Sequence, residues 1–350
     1  MLIYLGWLVF ALLGLSLIAA GALVLRRYWT RPSQLRTTFV NASVVCFTLY
    51  FLFLGLEISF YFVAVQSDSF GFTLAARRWF AEHWHPINAS GYRDVEHPRD
   101  RLEDDDVLLV VGDSFVAGHG VADHNDRFSN VLQDELGSDW VVVNVAKNGW
   151  HTRDEYDAIV SYPFKPKIIV LSYYPNDIDH AAQQHGVTPS FPLEDPPLLL
   201  KPAVRFSYFF NFVYWRLYRF EKAGEFDRIR TEYLDQIYTS EAIWQTHEQE
   251  LLDVVEYTGS HRIELVVVVF PNLKDIERSK LITSRVVDLM RSHDVPVIDL
   301  PNLLADRDPA QLVASSVDNH PGAALHREVG LLLYEQVMSL IEEQSFTAAQ

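Results

Sequence analysis

The chain has 350 residues, a formal net charge of −17 and a single cysteine, Cys46. The acidic excess disfavours a nucleic-acid partner, because gripping phosphates needs a broad basic face. One cysteine excludes an intramolecular disulfide and any metal site built on paired cysteines.

Two apolar stretches come first. Met1–Leu25 carries no charged residue, and Phe39–Gln66 carries only Glu57. Each exceeds the roughly 20 residues that cross a bilayer as helix, so two transmembrane helices are expected over residues 1–66. A cleaved signal peptide fits the first stretch poorly, since no Lys or Arg precedes Arg26. Arg26, Arg27, Arg31 and Arg36 lie between the stretches and place that loop in the cytoplasm, outweighing Arg77 and Arg78 beyond the second. Everything after about Gln66 is then extracytoplasmic. Glu57 is an acid inside a span and so a functional candidate. The plainer alternative is a carboxyl in the outer third, protonated or paired with a Tyr or Ser neighbour.

Residues 67–106 read as a polar, aromatic lead-in packed on the domain that follows. Within it, Pro86–Asp94 is a loop, and Asn88-Ala89-Ser90 is formally a glycosylation sequon. From Val107 on, strand-like and helix-like segments alternate. Strands are expected at Val107–Val111, Trp140–Val145, Lys167–Tyr173, Ile263–Phe270 and Val295–Leu300. Helices are expected at Arg127–Leu136, Thr152–Val160, Ser240–Tyr257, Ile276–Ser292 and Gly322–Gln344. This alternation predicts an α/β domain over 107–350: a flavodoxin-like three-layer α/β/α fold with a mostly parallel five-stranded sheet. An insertion at about 179–239 breaks the rhythm. It is Pro-rich from Thr188 to Pro202 and aromatic from Phe206 to Trp215, with Arg216, Arg219 and Lys222 following. Such a segment suits a lid, a membrane-interface element or a helix packed on the core.

The run Val107-Leu108-Leu109-Val110-Val111-Gly112-Asp113-Ser114-Phe115 puts a serine just past the end of a buried strand, where open α/β sheets carry their chemistry. A serine hydroxyl needs a base. The best candidate is His320 in Val317-Asp318-Asn319-His320-Pro321, expected on a loop before the last helix, with Asp318 near enough to orient it. The same residues also suit a helix start, with Asp318 or Asn319 as the cap. Oxyanion donors are available at the backbone N–H of Ser114, at Gly149 after the second strand and at the side-chain amide of Asn176 after the third.

Taken in order, Gly112-Asp113-Ser114-Phe115, Gly149, Asn176-Asp177 and Asp318-x-His320-Pro321 resemble the four blocks of the SGNH hydrolases, the GDSL-type esterase and lipase superfamily. The resemblance covers about Val107 to Ser339 and leaves the insertion unmatched. The Pro86–Asp94 lead-in resembles that of membrane-anchored bacterial members. The resemblance implies Ser114 as nucleophile, His320 as general base and acid, and Asp318 as its orienting acid. It further implies an oxyanion hole of Ser114, Gly149 and Asn176. No histidine pair has the spacing and surrounding acids of a zinc site, so no metal is expected, and no cofactor. Asp113 and Asp177 would brace turns. Two positions depart from the commonest pattern. Val317 stands where the acid usually lies, three residues before the histidine, and no glycine precedes Asn176.

The expected activity is cleavage of acyl esters, short-chain ones such as acetyl, through an acyl-enzyme. Two alternatives use the same scaffold: O-acyl transfer to a cell-envelope glycan, which needs a membrane partner or an extracytoplasmic donor, and a non-catalytic assembly or glycan-binding module. The expected partners are an acyl ester, an envelope glycan or lipid, and the membrane itself. His119 and His151 lie near the expected mouth of the site. His83, His85 and His97 read as surface or packing residues, and His326 as a packed helix residue.

Overall fold

The computed structural model describes residues 11–12, 14–16, 18–23, 26–27, 34–188 and 193–348. The chain divides into two compact units, one of Gln66–Phe72, Ala76–Pro192 and Lys222–Gln350, the other of Met1–Val65, Thr73–Ala75 and Leu193–Glu221.

The first unit is built on five strands: β1 (Asp106–Gly112), β2 (Trp140–Ala146), β3 (Ile168–Tyr173), β4 (Glu264–Val269) and β5 (Val297–Asp299). They lie in the order β2-β1-β3-β4-β5, which is the flavodoxin-like order. Every pairing is parallel, so the sheet is wholly parallel rather than mostly so. Strands buried on both faces read as unbroken apolar runs, and β1 is one. Val107, Leu109 and Val111 join one core, with Ala158, Leu251 and Val286 from helices on that face. Leu108 and Val110 join the other, with Phe128, Leu132 and Val329. The five apolar side chains of β1, Val107 to Val111, are at most 2 % exposed, and each contributes roughly 1.5–3 kcal/mol of burial.

The expected strand at Val295–Leu300 is shorter. It stops at Asp299, whose carboxylate accepts from Asn302 N at 3.3 Å and caps a short helix, Leu300–Leu303, with Pro301 in its first turn. The Asp318-x-His320 segment is not a loop. It forms β7 (Asp318–Pro321), paired antiparallel with β6 (Val313–Ser315) in a separate two-stranded sheet. The last helix begins beyond it, at Ala323.

In the second unit, the helix Gln34–Val63 contains Arg36–Val63, 28 residues of mean hydropathy 2.0 with apolar side chains such as Val44, Val45, Leu49 and Leu52 exposed. It is the one helix among the described residues long and apolar enough to cross a membrane. The expected first span, Met1–Leu25, lies largely outside the described residues; Gly14–Leu23 within it is a shorter apolar helix. The aromatic run of the insertion is helical and packs on Gln34–Val63. Phe53 meets Phe210, Phe60 meets Phe209 and Phe212, and Tyr61 meets Tyr208, with ring centroids 5.1–5.6 Å apart. Glu57 is buried. Its carboxylate accepts from Ser207 Oγ at 2.6 Å, Tyr208 N at 2.6 Å and Phe209 N at 3.1 Å. Its serine partner therefore comes from the insertion and not from a neighbouring turn.

Candidate active site

Gly112 ends β1 because nothing larger fits: a Cβ there would sit 2.4 Å from Val116 Cγ2 and 3.0 Å from Ser172 Cβ. Asp113 then caps the helix Ser114–Ala117, its Oδ1 accepting from Phe115 N at 2.8 Å. That fixes Ser114 at the start of a helical turn, where a backbone N–H is left without an intrahelical partner.

Three side chains meet there, Ser114 and two from the far end of the chain. His320 Nε2 lies 3.0 Å from Ser114 Oγ, and His320 Nδ1 lies 2.6 Å from Asp318 Oδ1. Asp318 is fully buried. Burial works to raise its carboxyl, but the hydrogen bond with His320 and then the charge of His320 outweigh that and hold it well below the usual carboxylate range. An ionised Asp318 accepts only, so Nδ1 carries the ring proton and Nε2 is the acceptor facing the serine hydroxyl. The β7 backbone makes the two-residue spacing work. In a strand, residues i and i+2 point to the same side, so Asp318 and His320 face the serine together.

Gly149 and Asn176 follow β2 and β3, the two neighbours of β1, so all three strand ends open on one edge of the sheet. Gly149 has φ 78°, the left-handed region. A Cβ there would meet nothing within 4 Å, so backbone conformation rather than crowding requires the glycine. Asp177 accepts from Tyr174 N at 2.9 Å and closes the turn that carries Asn176. Together the arrangement can take a proton from a serine hydroxyl and hold the resulting cation against a buried carboxylate.

The other histidines take separate places. His119 is 6 % exposed, and its ring stacks on His320 at 4.0 Å and 10°. It lies behind the base rather than at an open mouth. Trp79, Phe80 and Trp84 of the lead-in surround it, and Asn148 Nδ2 donates to its Nδ1 at 3.3 Å. Burial, and then the charge of His320, push His119 down to about 3. His151 caps the helix Thr152–Ser161 and pairs with Asp154 at 3.1 Å. His83 lies against Trp79, His85 bonds to the Glu82 carbonyl at 2.7 Å, and His97 bonds to Asp94 at 3.0 Å. His326 is buried, stacks on Phe128 and accepts from Phe128 N at 3.2 Å. His119, Asp318 and His320 are also grouped closely enough to hold a metal ion, their donor atoms lying within 4.8 Å.

Two buried groups carry no local sequence signal. Arg93 is 1 % exposed and donates to the carbonyls of His83, Gly118 and Val121 at 2.6–2.8 Å, which ties the lead-in to the turn after Ser114. Glu155 is fully buried, and neither carboxylate oxygen has a hydrogen-bond partner among the described residues.

No protein-family model matches the chain, and no curated protein matches it. Among solved structures it is similar to a carbohydrate acetylesterase family member from Sinorhizobium meliloti, at 16 % identity and TM-score 0.40, over 68 % of this chain and 99 % of that one. A lipase/acylhydrolase from Enterococcus faecalis aligns at 13 % identity and TM-score 0.41, over 66 % and 95 %. A lipolytic protein of the G-D-S-L family from Veillonella parvula aligns at 14 % and 0.38, over 64 % and 94 %.

Proposed function

We propose that this protein is a membrane-anchored serine hydrolase of the SGNH type that cleaves acyl esters on the extracytoplasmic side. The observation that carries the reading is the continuous relay from Ser114 Oγ through His320 to buried Asp318, at 3.0 and 2.6 Å.

The chemistry follows from that relay. Ser114 Oγ attacks the acyl carbonyl carbon while its proton passes to His320 Nε2. Asp318 holds the ring in the right tautomer and stabilises the imidazolium. The carbonyl oxygen becomes an oxyanion that the Ser114 and Gly149 N–H groups and the Asn176 amide receive. His320 then gives its proton to the leaving alkoxide and the ester C–O bond breaks. Water repeats the sequence on the acyl-enzyme, losing a proton to His320 and releasing the acid. The anchor reading rests on Arg36–Val63, and the sidedness on the arginines that precede it.

The test is fluorophosphonate labelling of the full chain, together with a chain-length panel of nitrophenyl esters from acetyl upward. Wild type labels and turns over esters, with short acyl groups preferred, while Ser114→Ala does neither and His320→Ala is slowed strongly. Equal turnover by wild type and Ser114→Ala would discard the serine mechanism. A C-terminal reporter active only in the cytoplasm would, if active, discard the sidedness.

A further inference from the structure

The insertion carries exposed apolar side chains of its own. Leu198, Leu199 and Leu200 are consecutive and 85 %, 93 % and 46 % exposed. Soluble surfaces seldom show such a run without a partner. It is followed at once by Lys201 and then by Arg205, both exposed.

The neighbours of this run, in its own unit, say what covers it. The helix Lys201–Phe206 and the first turns of Tyr208–Thr239 lie along Gln34–Val63. A cavity of about 340 Å³ between them is lined by Tyr50, Phe53, Leu54, Pro202, Phe206 and Phe210, among others. Helical rise puts Glu57 about 9 Å and Tyr50 about 20 Å from the Val63 end along the axis. The insertion therefore reaches well down the apolar helix.

Its backbone is prepared for that depth. A helix start leaves N–H groups without partners, and a bilayer offers no water to satisfy them. Here Glu57 takes Tyr208 N and Phe209 N, and Ser207 Oγ takes Phe210 N at 3.1 Å. Asn211, itself buried, donates to the Val204 carbonyl at 2.8 Å and accepts from Leu74 N at 2.9 Å. An acid on the span that caps a second helix start is what such a segment needs.

We propose that Leu193–Glu221 is a second membrane-binding element, seated against the C-terminal half of the span, and that its partner is the lipid bilayer. Leu198–Leu200 enter hydrocarbon, Lys201 stays paired with Asp195 at 2.7 Å, and the exposed Arg205 reaches toward the lipid phosphates. The assignment rests on reading Arg36–Val63 as a span. It gives Glu57 a task, the docking of this element, that needs no ion pathway.

The test uses the full chain with Cys46→Ser and one new cysteine, Leu198→Cys, Leu199→Cys, Leu52→Cys or Asp134→Cys. Each is labelled with a fluorophore and reconstituted in phosphatidylcholine–phosphatidylglycerol bilayers containing doxyl-labelled lipid. Leu52 is an exposed span residue and Asp134 an exposed residue of the sheet unit. The expected result is quenching at Leu198→Cys and Leu199→Cys close to that at Leu52→Cys and several-fold above that at Asp134→Cys. Quenching at the two insertion sites no stronger than at Asp134→Cys, with Leu52→Cys still quenched, overturns the proposal and leaves the span. Absence of quenching at Leu52→Cys overturns the span reading and this proposal with it.

Discussion

The imidazole rings of His119 and His320 lie face to face, 4.0 Å apart and 10° from parallel. On another side of His320 stands Phe115, at 5.6 Å. His119 Nδ1 is occupied by the Asn148 amide, so its proton sits on Nε2, 3.7 Å from Asp318 Oδ2. A neutral ring thus backs the base, faces the acid, and is bonded to the residue next to Gly149. His119 is a positioning residue for the proposed reaction.

Removing that backing should loosen His320 without touching substrate. His119→Ala is expected to lower kcat on the order of 10–100-fold with little change in KM. His119→Phe keeps a flat ring in the stack and should recover most of kcat. Steady-state kinetics on a small acyl ester decides it. A rise in KM with kcat unchanged would instead make His119 a substrate contact.

Replacing the acid should act through the tautomer of the base. Asp318→Asn should leave the fold intact and slow both ester turnover and fluorophosphonate labelling about 10³–10⁴-fold. Val317→Asp, at the commoner position of the acid, should not rescue it, because Val317 lies in the turn before β7, outside the strand that turns Asp318 and His320 toward the serine. Recovery of labelling in the double variant would contradict this geometry.

Acid should unfold the sheet unit earlier than its carboxylates alone require. His119 and His326 are each pushed down to about 3, first by burial and then by neighbouring positive charge. The unfolded chain takes up those protons at the ordinary histidine value of about 6.5. The unfolded state therefore binds more protons, and stability is lost as pH falls from about 6.5 toward 3. Urea titrations between pH 7.5 and 4 should show this slope. In His119→Phe it should be shallower by at most about 1.4 kcal/mol per pH unit. An unchanged slope would mean His119 protonates freely in the fold.

Much of this was legible in the chain, and the exceptions share a cause. β1 reads from sequence because a strand buried on both faces must be apolar throughout and Gly112 must end it. Ser114, Asp318 and His320 read from their types and order. The β6–β7 hairpin does not, since both strands are short and β7 is polar and ends on Pro321. The stack of His119 on His320, the Arg93 clasp and the docking of Ser207 on Glu57 do not either. Each pairs residues far apart in sequence through a tertiary contact that leaves no periodicity behind.

Arg93 is a case where the missed contact has a measurable weight. Its buried guanidinium holds carbonyls on both sides of the turn after Ser114 and lies 4.8 Å from the centre of the Trp84 ring. Burial pulls it down to about 9, still charged at neutral pH. Arg93→Ala leaves those carbonyls unpaired and should cost about 3 kcal/mol or more. Arg93→Lys offers one ammonium where a planar fork is needed and should recover only part of that. Thermal denaturation of the two variants, ranked wild type, Lys, Ala, checks the order.

Glu155 should behave in the opposite sense to the histidines. Burial, and then the charges of Asp113 and Asp154, hold it well above the usual carboxylate range. Asp177 is raised as well, by burial and then by Glu155 and Asp113. A folded-state value above the unfolded one means the fold keeps a proton that the unfolded chain releases. The stability tied to that proton is complete below the ordinary carboxylate range and is lost as pH rises through the raised value. Glu155→Gln has the same shape and no charge to bury. It should change little at pH 5 and stabilise the protein on the order of 1–3 kcal/mol at pH 8–9. Fluorophosphonate labelling of Ser114 should persist in the variant, since Glu155 touches none of the reacting groups. Equal stability of wild type and variant across that range would show that the Glu155 carboxylate is satisfied in its charged form.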